Sequence, residues 1–303
     1  MRASSRPVVD FPAPAEPTIE IRRTVRDRTS QPLEKTAEEN PDMSDDQVLA
    51  GADLGRGVTM PMVGFGTWRL RGSTAYESVK YALQAGYRHL DTATMYGNET
   101  EVGRAIRDSG VDRADVFITT KVPPGNVGRE RATIDASLRD LGTDHVDLWL
   151  IHWPPRRGAS PRMWEQLIEA REAGLARAIG VSNYSPALID ELFRTSGERP
   201  AVNQISWSIP QYDPDVLAAH RDRDVLVEGY SSLKGTNLRD RTLTDIAGRH
   251  AVEPAQVVLR WHLQHGIAVI PKSSHRERIT SNFALSGFSL DEAEMARLDT
   301  LSH

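Results

Sequence analysis

From Leu54 to the end of the chain, short apolar runs alternate with stretches whose apolar positions recur at helical spacing. The runs Met62–Gly66, Tyr87–Asp91, Val116–Lys121, Val146–His152, Ala178–Val181, Val202–Ile205, Val225–Tyr230 and Ala268–Ile270 read as strands. Between them, Ile134, Leu138 and Leu141 share one helix face ahead of Gly142, a residue suited to stopping a helix. Ser185-Pro186 places an N-cap before a proline at the first helical position, leading into Ile189, Leu192 and Phe193. Asn98 with Glu101, and Ser289 with Glu292, carry the spacing of a capping box. Gly55-Arg56-Gly57 predicts a hairpin turn ahead of the first run. Apolar strands that each lead into a helix imply a parallel sheet covered by helices, and about eight such units close it into a barrel. A doubly wound sheet would need a dinucleotide fingerprint. Gly64-Phe65-Gly66 lacks the third glycine and a helix directly behind it. The expected fold is therefore α/β, a (β/α)8 TIM barrel preceded by a short β-hairpin.

The pattern fails upstream. Residues 1–47 are rich in Pro, Arg, Glu, Asp, Ser and Thr and hold few apolar positions, so they are expected to form a disordered N-terminal extension. The barrel domain is assigned to residues 48–303, and Met43 is expected as an alternative translation start. A net charge of −5 gives no reason to expect nucleic acid or an anionic membrane as partner. With no cysteine, disulfides, thiolate metal sites and thiol nucleophiles are excluded. No run approaches the ~20 apolar residues of a membrane span. Arg22-Arg23 has no apolar segment behind it, which argues against a twin-arginine signal. A cytoplasmic monomer is expected.

In a barrel of this kind, function gathers where strands end and βα loops begin. The strand ends in chain order are Gly66-Thr67-Trp68, Asp91, Lys121, His152-Trp153, Ser182-Asn183, Gln204, Tyr230-Ser231 and Lys272-Ser273. Such a ring of polar and aromatic groups argues for a polar ligand. Lys121 closes a run that should be buried, and a buried Lys needs a partner, for which Asp91 is the candidate. The pair reads either as structural or as part of a proton-handling set with Tyr96 and His152. A free phenol, with a pKa near ~10, is a weak acid at neutral pH. A nearby ammonium lowers the cost of its ionisation. His152 taken alone reads first as a satisfied core histidine, and only beside a Tyr/Lys pair as an orienter of a carbonyl oxygen. Lys272, Arg276 and Arg278 offer phosphate-binding chemistry before a helix, or simply a solvated surface. His262 and His265 lack an evident third metal ligand and are expected to be exposed helix residues; no metal site is assigned.

These residues stand in segments that resemble the aldo-keto reductase family, including its bacterial diketogluconate reductases. The matching pieces are Gly64-Phe-Gly-Thr-Trp68, Tyr87-Arg-His-Leu-Asp-Thr-Ala93, Tyr96-Gly-Asn-Glu99, Ile118-Thr-Thr-Lys121 and Leu150-Ile-His-Trp-Pro154. Further on come Ile179-Gly-Val-Ser-Asn183, Val202-Asn-Gln204, Gly229-Tyr-Ser231 and Ile270-Pro-Lys-Ser273. The resemblance implies an NADPH-dependent reductase of small-molecule aldehydes and ketones that needs no metal. It implies Tyr96 as general acid, assisted by Asp91, Lys121 and His152. Tyr230 would stack on the nicotinamide, and Ser182, Asn183 and Gln204 would hold its carboxamide. Gly66, Thr67, Ser231 and Leu233 would line the cofactor, Lys272, Ser273 and Arg278 would surround a 2′-phosphate, and Asn282 would lie near the adenine. Trp68 and Trp153 would wall the substrate pocket.

The sequence departs from the family pattern at several points. Asn203-Gln204 leads into Trp207-Ser208-Ile209-Pro210 instead of a His-Pro loop, and Ser232 replaces a usual proline. Ser281 stands where an acid commonly contacts adenine, and His275 where a small residue is usual. A short loop after His152 and a short tail imply an open pocket and broad specificity. The alternative from another class is a cofactor-occupied redox-sensing or binding protein on the same barrel, with slow turnover.

Overall fold

The structure, a computed structural model, describes residues 51–156 and 158–302; the expectations for residues 1–47 and for Met43 lie outside them. Two short strands, β1 (Ala52–Asp53) and β2 (Thr59–Met60), pair antiparallel. Asp53 accepts a bond from the Gly55 N–H at 2.8 Å, so the turn expected at Gly55-Arg56-Gly57 is present.

Eight parallel strands follow: β3 (Phe65–Gly66), β4 (His89–Asp91), β5 (Phe117–Val122), β6 (Val146–Ile151), β7 (Ala176–Ser182), β8 (Val202–Ser206), β9 (Leu226–Tyr230) and β10 (Ala268–Val269). They pair in chain order, each with the next. The sheet closes on itself where Gly64 N donates to Val269 O and Val269 N to Met62 O, both at 2.8 Å. At that seam a Cβ on Gly66 would lie 2.7 Å from the Ile270 carbonyl oxygen, so only glycine lets the ends meet.

Helices α1 (Gly72–Gln84), α2 (Glu99–Ser109), α3 (Glu130–Leu141), α4 (Pro161–Glu172), α5 (Pro186–Ser196), α6 (Pro214–Arg221), α7 (Arg241–His250), α8 (Pro254–Gln264), α9 (Arg276–Phe283) and α10 (Glu292–Asp299) accompany the strands. Their apolar faces bury Ile134, Trp164, Leu192 and Trp261. Burial of a large apolar side chain contributes roughly 1.5–3 kcal/mol, which holds each helix on the barrel. Among the described residues no helix is long and apolar enough to cross a membrane.

Gly142 does end α3, at φ 69°, and Ser185 caps α5 by accepting from Leu188 N. Three local expectations need correction. The capping box of α10 is built by Asp291 and Glu294 instead of Ser289 and Glu292. Leu290, just before it, is held to α8 by two 2.8 Å bonds between its backbone and the Gln264 amide, so the helix starts only beyond that clamp. Asn98 occupies the N-cap position of α2 but makes no cap bond there. His262 is fully buried on α8, not exposed. Its Nδ1 lies 2.7 Å from Val258 O and its Nε2 3.2 Å from Trp207 O. His265, the C-cap residue of that helix, is likewise not exposed but partly buried, bonded to Asp299 at 2.9 Å.

Candidate active site

Side chains two residues apart on a strand share a face. His89 and Asp91 on β4, Thr119 and Lys121 on β5, and Glu228 and Tyr230 on β9 are such pairs. Hydrogen bonds join these strands through the barrel. Lys121 Nζ donates to Asp91 Oδ2 at 2.5 Å and to Thr92 O at 2.8 Å. Gln204 Nε2 donates to the same Asp91 oxygen at 2.8 Å and to Glu228 Oε2 at 2.6 Å. Two acidic side chains around one nitrogen leave no other sensible orientation for that amide. Lys121 is completely buried, as its place at the end of an apolar run required.

Tyr96 ends a turn of 3-10 helix, Thr94–Tyr96, and Gly97 follows at φ 62°, a left-handed conformation that suits glycine. Thr94 Oγ1 donates to Lys121 O at 3.0 Å, tying this turn to β5. Asn98, free of the cap, donates to Thr67 O and Leu70 O, each at 3.0 Å, and accepts from Thr92 Oγ1 at 2.7 Å. It thus staples the loop after β3 to the loop that carries Tyr96. The phenol ring stands edge-on to His152, centroids 5.7 Å apart, with the Lys121 ammonium 5.0 Å from its own centroid.

Burial is the largest influence on the Tyr96 phenol and pushes it above its usual value; the Lys121 charge pulls it down by less. The net direction is opposite to what the lysine alone predicts, because the desolvation cost exceeds the ammonium's effect. Burial likewise acts to lower Lys121, but Asp91, Tyr96 and Glu228 outweigh it and the ammonium is held above its ordinary value. His152 is pushed down to about 4 by burial and then by the Lys121 charge, so it is neutral at neutral pH. Its buried Nδ1 has no hydrogen-bond partner.

Above this cluster opens a cavity of about 770 Å³, within the range of small-molecule sites. Its wall includes Asp91, Tyr96, His152, Gln204, Tyr230 and Trp153 of the expected set. Gly66, Trp68, Ser182, Asn183, Ser231, Leu233 and Lys272 are also part of it. Thr67 lies beneath, with its hydroxyl and its N–H both donating to Asp91 O. Ser273, Arg278 and Asn282 stand outside the cavity. Arg278 Nε reaches Ser273 Oγ at 3.4 Å, Arg278 itself is exposed, and Asn282 is buried. Asn183 and Ser231 adopt left-handed backbones, φ 63° and 60°, and Tyr230 donates to Asn183 Oδ1 at 2.8 Å. Arg69, Met95 and Lys234 were not anticipated at the cavity. They lie on loops, where no residue period marks the inward side. Glu228 was also missed, although its spacing from Tyr230 places both on one face.

Fold and site together define a parallel (β/α)8 barrel with a phenol, a neutral imidazole and a buried ammonium–carboxylate pair at one end of its strands. Residues 62–303 match the profile of the Aldo/keto reductase family. An aldo-keto reductase of Mycolicibacterium smegmatis is 41% identical over 252 residues, covering 82% of this chain and 92% of its own. The 2,5-diketo-D-gluconic acid reductase B of a Corynebacterium species is 42% identical over 233 residues, 75% of this chain and 84% of that protein. The crystal structure of an aldo/keto reductase from Brucella melitensis superposes with a TM-score of 0.80 at 39% identity, covering 83% and 98% of the two chains. The chain belongs to the aldo/keto reductase family. It is an oxidoreductase of small-molecule carbonyl compounds, in a family that works with nicotinamide cofactors.

Proposed function

We propose that the protein reduces aldehydes and ketones with NADPH, with Tyr96 as general acid supported by Lys121, Asp91 and His152. The observation that carries this reading is the convergence of the phenol and the neutral His152 on one cavity wall above the buried Lys121–Asp91 pair. The bound nicotinamide supplies the hydride. As negative charge builds on the carbonyl oxygen, Tyr96 and His152 meet it with donors already in place, a term that dominates many barriers. Burial keeps the Tyr96 proton on the phenol at neutral pH until that charge appears, and the Lys121 ammonium then stabilises the phenolate left behind. Asp91 and Thr92 O hold the ammonium where it serves this purpose.

The residues around the cavity fit a nicotinamide dinucleotide. Both Nε2 hydrogens of Gln204 are engaged by acids, which leaves its amide oxygen for the N–H of a carboxamide beside Ser182 and Asn183. Tyr230 offers a ring face, and Gly66, Ser231 and Leu233 offer backbone and small contacts along the wall. The N-terminus of α9 carries no side-chain cap, so its amides are available to a phosphate beside Lys272, Ser273 and Arg278. Asn282, buried outside the cavity, is the least supported contact. Trp68 and Trp153, exposed by 52% and 47%, flank an open entrance and favour broad acceptance of carbonyl substrates. The monomeric state and the cytoplasmic location expected from the sequence are carried as part of the proposal.

A panel of aldehydes, ketones and keto-sugars, assayed with NADPH and with NADH, tests it. Turnover of several substrates with preference for NADPH is expected. Tight NADPH binding without turnover would instead support the sensor, and a single accepted substrate would contradict the open pocket.

A further inference from the structure

Glu228 has no part in the chemistry derived above, yet it is completely buried and bonded into it. Its Oε2 accepts from the Gln204 nitrogen that also donates to Asp91, the partner of Lys121. Its Oε1 has no hydrogen bond; His89 Nε2 lies 3.6 Å away. His89 Nδ1 faces the Pro61 carbonyl at 3.2 Å, so that nitrogen carries the ring proton and Nε2 is an acceptor, shared with Thr119 Oγ1 at 3.0 Å. A carboxylate oxygen facing that lone pair would be repelled, whereas the O–H of a carboxylic acid would be attracted. The charge count agrees. His89 and Asp91 of β4, Thr119 and Lys121 of β5, Gln204 of β8 and, beyond them, Tyr96 surround Glu228. The one ammonium among them is already matched by Asp91.

We propose that Glu228 is a positioning residue that works as a neutral acid, holding Gln204 against Asp91 and leaving the Lys121 charge undivided for Tyr96. The role rests on the reading of Tyr96 as proton donor. Burial first, then the Asp91 charge, push the Glu228 carboxyl up to about 8. Once ionised, Glu228 adds an anion that opposes formation of the Tyr96 phenolate, so the phenol becomes a weaker acid. Carbonyl reduction should therefore decline as pH rises through this range, well before the phenol itself titrates.

Glu228→Gln separates this role from simple packing. Its amide is planar and neutral, accepts from Gln204 through its oxygen and donates toward His89 through its nitrogen. With saturating NADPH and aldehyde, wild-type kcat should fall by about threefold or more between about pH 7 and about pH 9. The variant's kcat, whatever its size, should stay flat across that interval, with KM independent of pH in both. Identical pH profiles in the two proteins would overturn the role. If the variant does not fold, the wild-type profile still decides, because a flat kcat up to about pH 10 contradicts the proposal.

A second measurement does not depend on turnover. A folded-state pKa above the unfolded 4.5 gives wild type stability that is lost as pH rises toward about 8. The difference in Tm, variant minus wild type, should grow across that window and level off above it. A difference that stays constant would show Glu228 ionised throughout and overturn the proposal. Absence of turnover in both proteins, with the Tm difference growing as expected, would locate the failure in the reductase reading and remove the catalytic role built on it.

Discussion

The two ends of the site, the buried floor of the cavity and the surface at and just beyond its edge, are built in opposite ways. At the inner end, Asp91, Lys121, Gln204 and Glu228 are buried and joined by bonds of 2.5–2.8 Å. At the outer end, Lys272 and Arg278 are exposed, and the Arg278–Ser273 contact is stretched to 3.4 Å. In the proposed mechanism the inner groups meet a charge that exists only during reaction, so any reorganisation there would add to the barrier. On the same proposal the outer groups grip a phosphate, which can order flexible cationic side chains as it binds. Inner changes should thus act on kcat and stability, outer changes on cofactor affinity.

The largest departure from wild type is expected for Lys121→Met. It strands Asp91 in the interior, and breaking a buried ion pair in this way costs about 3–5 kcal/mol. Turnover should also drop by about 10²–10⁴-fold, since the phenolate loses its counter-ion. Denaturant unfolding and steady-state rates measure both; a stable, active variant would erase the distinction between the two ends. Next in size is the outer pair. Changing Lys272 and Arg278 together to Ala should weaken NADPH by about tenfold or more, because charge-assisted bonds contribute about 1.5–3 kcal/mol each. NADH affinity and kcat at saturation should stay within about twofold. Equal losses for both nicotinamides, read by fluorescence titration, would refute the phosphate assignment.

A gentler effect separates the inner end from the surface by pH. Burial pushes His89, His152 and His262 down to about 4, so each is neutral in the folded chain below the ordinary histidine value. The unfolded chain binds their protons from about 6.5 downward. Their contribution to stability is complete above about 6.5 and is lost as pH falls toward about 4. Tm should decline over that window in wild type. His152→Gln should show a shallower decline, and parallel curves would contradict the burial argument.

Much of this contrast was legible before folding, wherever one residue broke an otherwise apolar run. Lys121 after Val116–Thr120 and Asp91 after Tyr87–Leu90 announced a buried pair, and the structure joins them. Eight strand–helix repeats announced the barrel. Glu228 broke the run Val225–Tyr230 in the same manner but lacked an evident partner, since Gln204 meets it only through the register of β8 with β9, and His89 only across the barrel. His262 read as exposed because no third metal ligand was evident beside it, yet α8 is packed over most of its circumference and the Val258 carbonyl, 2.7 Å from Nδ1, is placed to accept the single proton of the neutral ring. Asn98 carried a cap signal that tertiary contacts with Thr67 and Leu70 overrode. Such long-range partners leave no local periodicity to read.

The claim beneath all of this is that the Tyr96 hydroxyl delivers the proton that quenches the forming alkoxide. Its most direct test is Tyr96→Phe, assayed for aldehyde reduction with NADPH while cofactor binding is followed separately by fluorescence. The account predicts a fall in kcat of about 10²–10⁴-fold with NADPH affinity within about twofold of wild type. An undiminished rate in the protein lacking that hydroxyl would contradict it.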